Sequence, residues 1–176
     1  CDIEFLIFCT QSPDYALPSG SAVLQNKLGL SKHTGGIDIN QGCSGYIYGL
    51  FLANSMIESG QCNNILLITA DTYTKYIISS DKSNRSIFGD GASATIVNKK
   101  FFKFLDFLLG TDGSGRENLI AFNSCLKKTS NIGTPELYMN GTEIFNFTLK
   151  NIPLLISEIL NRNSLVIDDI DLFVFH

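Results

Sequence analysis

Cys43 lies in the stretch Gln41-Gly42-Cys43-Ser44-Gly45, between a short apolar run and a long segment with helical spacing. A cysteine in a small-residue turn at the start of a helix meets the needs of a thiolate nucleophile. The unpaired N–H groups and the dipole of the first helical turn favour a negative sulfur. Small neighbours let a substrate carbonyl reach the backbone, where the Cys N–H can donate to an oxyanion. The same residues also describe a small buried thiol at a tight strand–helix junction, and the junction by itself leaves both readings open. The thiol elbow of an α/β-hydrolase has the form G-x-C-x-G. Gln41 stands where its first glycine should be, so that pattern fails by one residue.

The other groups capable of chemistry are few. His33 sits in a polar stretch between a helical segment and a strand and reads as a solvated residue, whereas His176 closes an apolar run. Cys1, Cys9, Cys43, Cys62 and Cys125 form an odd set without a C-x-x-C pair, which signals neither a zinc site nor a disulfide framework. Free thiols in a reducing cytoplasm fit this usage best. Gly89-Asp90-Gly91 reads as a tight turn entering a strand, since a single Asp without further acidic spacing is poor evidence for a metal.

Elements that would position Cys43 follow from the pattern around it. Residues 3–9 are an apolar run of strand length with no polar face, as expected of a strand covered on both sides. Pro18-Ser19 opens a helix ended by Gly29, and Ile37–Asn40 is a short strand leading directly into the cysteine turn. From Tyr46 to Ser59, apolar Ile47, Leu50, Phe51, Met56 and Ile57 recur at helical spacing, with Gly60 placed as the C-terminal cap. Asn64–Ala70, Ala92–Val97, Phe104–Leu109 and 171–175 read as further strands, and 79–86 as a polar loop. Residues 111–135 read as a long surface excursion. A helix is expected from near Thr142, whose hydroxyl is placed to cap it, with Pro153 kinking or splitting it. Strand–helix alternation of this kind predicts an α/β layered fold with a mainly parallel sheet. No Gly-rich loop follows the first strand, which disfavours a dinucleotide-binding domain.

Bulk composition agrees with a globular chain: 44% of the residues are apolar and 17% charged. A formal charge of -4 argues against nucleic acid as a partner, and the densest basic run, Lys99, Lys100 and Lys103, reads as a solvated strand end. No run of about 18 or more apolar residues supports a membrane span, and no signal peptide is apparent. The absence of an initiator Met and the apolar run ending at His176 lead us to expect an internal fragment.

Three blocks together carry a resemblance. Asp38 to Gly49, Ile87-Phe88-Gly89-Asp90-Gly91-Ala92-Ser93-Ala94, and Leu137-Tyr138-Met139-Asn140-Gly141-Thr142-Glu143-Ile144-Phe145 are each similar to signatures of the beta-ketoacyl-acyl-carrier-protein synthase III family. They occur in the family's order and at its approximate spacing, and the opening segment with Thr10 and Pro18-Ser19 also resembles the family. The resemblance implies a thiolase-like fold, layered αβαβα with two similar halves. Here that means residues 1–102 as the later part of the N-terminal half and 103–176 as the start of the C-terminal one.

It also implies a Cys-His-Asn site. Cys43 matches the nucleophile, and His176 matches the histidine in part, since Phe175 replaces the usual small or proline-like residue. The family's Asn and its Gly-rich C-terminal loop are expected beyond His176. Arg85 matches a position at the mouth of the coenzyme A tunnel, although the loop here is shorter and a surface Arg is an equal alternative. Ile87, Phe88, Met139, Gly141 and Phe145 match acyl-pocket positions and are equally readable as core. Leu17 matches a gate that reaches the partner subunit's acyl pocket.

The implied reaction is acyl transfer from coenzyme A or a carrier protein to the cysteine, followed by decarboxylative condensation with a malonyl thioester. It needs no metal or other cofactor. The implied partners are acyl-coenzyme A, malonyl-acyl-carrier-protein and a second copy in a homodimer, in the cytoplasm. Other readings remain: a hydroxymethylglutaryl-coenzyme A synthase-like or polyketide-type enzyme, a non-catalytic partner subunit of the same fold, and a thiol hydrolase disfavoured by Gln41.

Overall fold

A computed structural model of the chain describes residues 2–101, 103–124 and 135–176. These fall into two compact units, Cys1–Thr72 with Asp90–Phe104, and Tyr73–Gly89 with Leu105–His176.

The first unit holds β1 (Phe5–Cys9), α1 (Gly20–Lys27), β2 (Gly35–Ile39), α2 (Gly45–Glu58), β3 (Ile65–Thr72) and β4 (Asp90–Val97). Its sheet has the order β2-β1-β3-β4. β1 runs parallel to both β2 and β3, and β4 returns antiparallel to β3. The expected mainly parallel α/β arrangement is therefore present. β1 is central, and its lack of a polar face follows from that: Leu6 and Ile7 point to opposite sides of the sheet and both are fully buried. With Ile65, Leu67 and Val97 they form the core, which Leu50, Ala53 and Ile57 of α2 cover.

Helix α2 lies close over the sheet because Gly49 faces Leu67; a Cβ at that position would stand 2.5 Å from Leu67 Cδ1. Both helices stop where glycine was expected to stop them. Gly29 and Gly60 have φ of 63° and 74°, the left-handed conformation that follows a helical C-cap.

The second unit departs further from the expectations. Residues 79–86, read as a loop, hold most of α3 (Lys82–Ile87). Asp81 caps it by accepting the N–H of Asn84, and buried Asn84 donates to Asp81 Oδ2 and to the carbonyl of Leu137. The helix is thus stabilised by polar anchoring, which leaves no apolar periodicity to read. The excursion at 111–135 includes a 3-10 turn at Gly113–Gly115 and β5 (Leu119–Phe122), which pairs antiparallel with β6 (Glu136–Met139). The remainder of that excursion, 125–134, lies outside the described residues.

α4 (Gly141–Arg162) is one helix that contains Pro153 without being split. One lost backbone bond leaves the flanking bonds to carry the helix. Its N-cap is Asn140, which accepts from the N–H of Glu143, so Thr142 lies inside the helix rather than capping it. Residues 104–109 and 171–175 are not strands. A strand needs a ladder partner for its N–H and C=O groups, and no described strand pairs with either segment.

Candidate active site

Cys43 stands in the turn between β2 and α2, where the sheet hands the chain to the helix. The turn and the strand end that leads into it are tied to the end of β1 and the residue after it. Thr10 N–H donates to the carbonyl of Ile39 at 3.0 Å, and the Cys9 thiol donates to the carbonyl of Gln41 at 3.2 Å. Within the turn Gly45 N–H donates to Gly42 C=O at 2.7 Å. The N-cap of α2 is Ser44, whose side chain makes no capping hydrogen bond. Gly45 N–H is thus taken by Gly42 C=O, and no capping side chain takes up the N–H groups that follow it, the kind of donor that an oxyanion uses.

The two thiols of this region differ sharply in setting. Cys43 is exposed, whereas Cys9 is buried. Burial pushes the Cys9 thiol above its ordinary range; the bond to Gln41 opposes this and the charge of Asp71 adds to it. Cys9 is accordingly a protonated donor that holds the turn from below, while Cys43 is open to a reacting partner. Gly45 is required by the same arrangement, since a Cβ there would run into Cys9 Sγ. Cys62, also buried, is raised by desolvation in the same way.

Leu17 lies in the first unit on the segment joining β1 to α1, 87% exposed and followed by a cis bond to Pro18. A cavity of about 480 Å³ flanks this segment, lined among others by Phe8, Tyr15, Val23 and Asp71. Asp71 and Asp38 hydrogen-bond the two ends of the segment. Sequence reading missed both. Asp38 did leave a signal, a carboxylate flanked by Ile37 and Ile39 in a short strand, where a charge needs donors.

Arg85, Ile87, Phe88, Met139, Gly141, Phe145 and His176 belong to the second unit. Arg85 is on α3 and donates from Nη1 to Ser79 C=O at 2.9 Å. Phe88 is the C-cap of α3, with its ring stacked on Tyr73 at 5.3 Å between centroids. Arg85 and Phe88 share a cavity of about 390 Å³ with Thr74, Ile77 and Ser79. Ile87 and Phe145 are exposed. Met139 ends β6 opposite Leu119, and Gly141 begins α4. The bond of Asn84 to Leu137 C=O ties the helix of Arg85 to the strand of Met139. His176 is exposed and outside any regular element, and His33 is a solvated loop residue.

Among the described residues no group of three or more His, Cys, Asp or Glu could hold a metal ion. No described helix is long and apolar enough to cross a membrane.

Comparison with known proteins bears on what this geometry belongs to. The family model for 3-oxoacyl-[acyl-carrier-protein (ACP)] synthase III matches residues 37–113, from β2 through the cysteine turn and β4. A beta-ketoacyl-[acyl-carrier-protein] synthase III 2 of Staphylococcus epidermidis is 36% identical, over 99% of this chain and 55% of its own length. A solved 3-oxoacyl-(acyl-carrier-protein) synthase III is 40% identical with a TM-score of 0.93, covering 99% of this chain and 57% of that one. The 3-oxoacyl-(acyl-carrier protein) synthase of Burkholderia xenovorans follows at 36% identity and a TM-score of 0.87, over 99% and 53%. The chain thus spans about half the length of the relatives it matches. In sequence over 99% of its length and in its thiolase-like α/β fold, the chain is similar to about half of a 3-oxoacyl-[acyl-carrier-protein] synthase III.

Proposed function

We propose that this chain carries the acyl-accepting cysteine of a synthase III-type acyltransferase. The observation that carries the reading is an exposed Cys43 at the start of a helix whose first N–H groups are not capped by a side chain. The setting is a chain similar to synthase III proteins over 99% of its length. In the first half-reaction the Cys43 thiolate attacks an acyl thioester and the coenzyme A thiolate leaves, so one thioester replaces another. In the second, a malonyl-acyl-carrier-protein loses carbon dioxide, and its electron pair becomes an enolate. Attack of that carbon on the acyl-cysteine forms the carbon–carbon bond and returns the thiolate. The product is a 3-oxoacyl thioester.

His176 is proposed as the donor to the malonyl thioester carbonyl, where the enolate charge develops. Arg85 is proposed at the coenzyme A entry. Ile87, Phe88, Met139, Gly141 and Phe145 are proposed along the acyl pocket, with Leu17 as the gate to the pocket of a second copy in a homodimer. Residues 1–102 and 103–176 would then belong to the two similar halves of the fold, and the compartment would be the cytoplasm.

The test is intact-protein mass spectrometry after incubation with a panel of acyl-coenzyme A thioesters, beside Cys43→Ala. The expected result is a gain of one acyl group that Cys43→Ala abolishes. An adduct that persists in Cys43→Ala would remove Cys43 as the nucleophile. No adduct with any coenzyme A or carrier-protein donor would point instead to a non-catalytic member of the fold.

A further inference from the structure

The segment Thr10–Ser21 leaves the sheet at the end of β1, passes over the exposed Leu17 and re-enters regular structure in α1. Each of its ends is held by a carboxylate from a different strand. At the near end, Oδ1 of Asp71 in β3 accepts from the Thr10 hydroxyl at 3.1 Å, the Gln11 N–H at 2.7 Å and the Ser12 hydroxyl at 3.0 Å. Ser12 N–H donates to Thr10 Oγ1 at 3.1 Å, and Thr72 N–H donates to Ser12 Oγ at 2.8 Å, which closes a ring of bonds between segment and strand. At the far end, Asp38 in β2 accepts the Gly20 N–H on Oδ2 at 2.6 Å and the Ser21 N–H on Oδ1 at 2.7 Å. Hydrogen bonds to an ionised acceptor are the strong kind. Strands β2, β1 and β3 are neighbours in one sheet, so both anchors are built on the core and not on other loops. Between them Pro13 and Pro18 further restrict the backbone.

We propose that Asp71 and Asp38 are paired positioning residues that pin the two ends of this segment and so fix Leu17. Acyl-group choice at the site then depends on two carboxylates that do not touch substrate. The dependence of acyl choice rests on the proposed role of Leu17; the pinning does not. The geometry makes the two carboxylates respond differently to the same substitution. Asp71 acts through one oxygen, and an asparagine oxygen in that place accepts the same donors. Asp38 acts through both, and asparagine must turn an NH2 group toward one of the two N–H groups.

The pinning is read by chymotrypsin cleavage after exposed Tyr15, followed by mass spectrometry on the full chain carrying Asp71→Asn, Asp71→Ala or Asp38→Asn. Cleavage is expected to quicken about tenfold or more in Asp71→Ala and Asp38→Asn, which lose a charge-assisted bond, and to quicken less in Asp71→Asn, which keeps the acceptor and loses only its charge. Wild-type rates in Asp71→Ala and Asp38→Asn, or equal rates in the two Asp71 variants, would overturn the pinning. If Asp71→Ala is cut throughout the chain, Ser12→Ala replaces it. That variant removes one donor and the link to Thr72, and should quicken cleavage after Tyr15 alone. In parallel, the ratio of Cys43 adducts from a short straight and a long acyl-coenzyme A should shift only in the variants that are cut faster. An unchanged ratio beside fast cleavage overturns the link to acyl choice. A wild-type chain that takes no acyl group overturns the proposed function, while the cleavage rates still decide the pinning.

Discussion

Single residues in this chain are governed by what lies within hydrogen-bond reach. Cys9 and Cys43 have the same side chain, yet one is a buried donor under the turn and the other an open thiol upon it. Glu4 shows the same dependence. Its carboxylate accepts the backbone N–H groups of Asn63 and Asn64, which fastens the start of β1 to the loop entering β3. These bonds, first that from Asn63 and then that from Asn64, hold the Glu4 carboxyl below its ordinary value against the opposing effect of desolvation. A carboxyl whose folded value is depressed binds its proton more weakly when folded. Its contribution is therefore present above the unfolded value and lost as pH falls through the folded one. Urea denaturation followed from neutral pH down through the carboxylate range should show stability declining less steeply in Glu4→Gln than in wild type. Identical pH profiles would remove Glu4 from the acid response.

At the scale of elements, the close seat of α2 on the sheet decides where Cys43 stands. Two glycines permit it: Gly49 over Leu67 and Gly45 over the Cys9 thiol. Adding a methyl group to a tightly packed contact costs about 1–3 kcal/mol. Gly45→Ala should therefore lower the urea midpoint, and Cys9→Ala in the same chain should restore part of the loss, because it removes the sulfur that the new Cβ meets. Additive losses in the double variant would mean that the two residues do not share the space between helix and strand.

At the scale of the whole molecule, apolar surface is the salient feature. α4 has no buried residue along its 22 positions, and Phe145, Phe147, Leu149 and Leu154 are all exposed. Leu105, Leu172, Val174 and Phe175 add to this in the same unit. Large apolar side chains left exposed in such number mark an interaction site or a liability to associate. The 176-residue chain by itself should thus bind a hydrophobic dye such as anilinonaphthalene sulfonate and sediment as species heavier than 19.3 kDa. A dye-silent species at the monomer mass would show that these surfaces cover one another in solution.

Much of the cysteine's immediate framework was legible in residues 1–97. β1 to β4, α1 and α2 follow from runs, helical spacing and caps that act over a few residues, and Gly29 and Gly60 end their helices as a left-handed residue must. α3 was not legible, because its support is a cap from Asp81 and a bond from Asn84 to Leu137 far along the chain. The apolar run at 104–109 looked like a strand for a sound local reason, but a strand is a pairing, and its partner is not a property of the run itself. The start of α4 turned on two adjacent good cappers, Asn140 and Thr142, and only the backbone path chose between them. Sequence by itself determined the cysteine turn, the elements on either side of it and the resemblance to a family. Tertiary structure decided the sheet order, the thiol beneath the turn and the carboxylates that hold the Leu17 segment. The division has one physical cause: caps and periodicity act between near neighbours, whereas Asp71 meets Thr10, and Cys9 meets Gln41, only after the strands have paired.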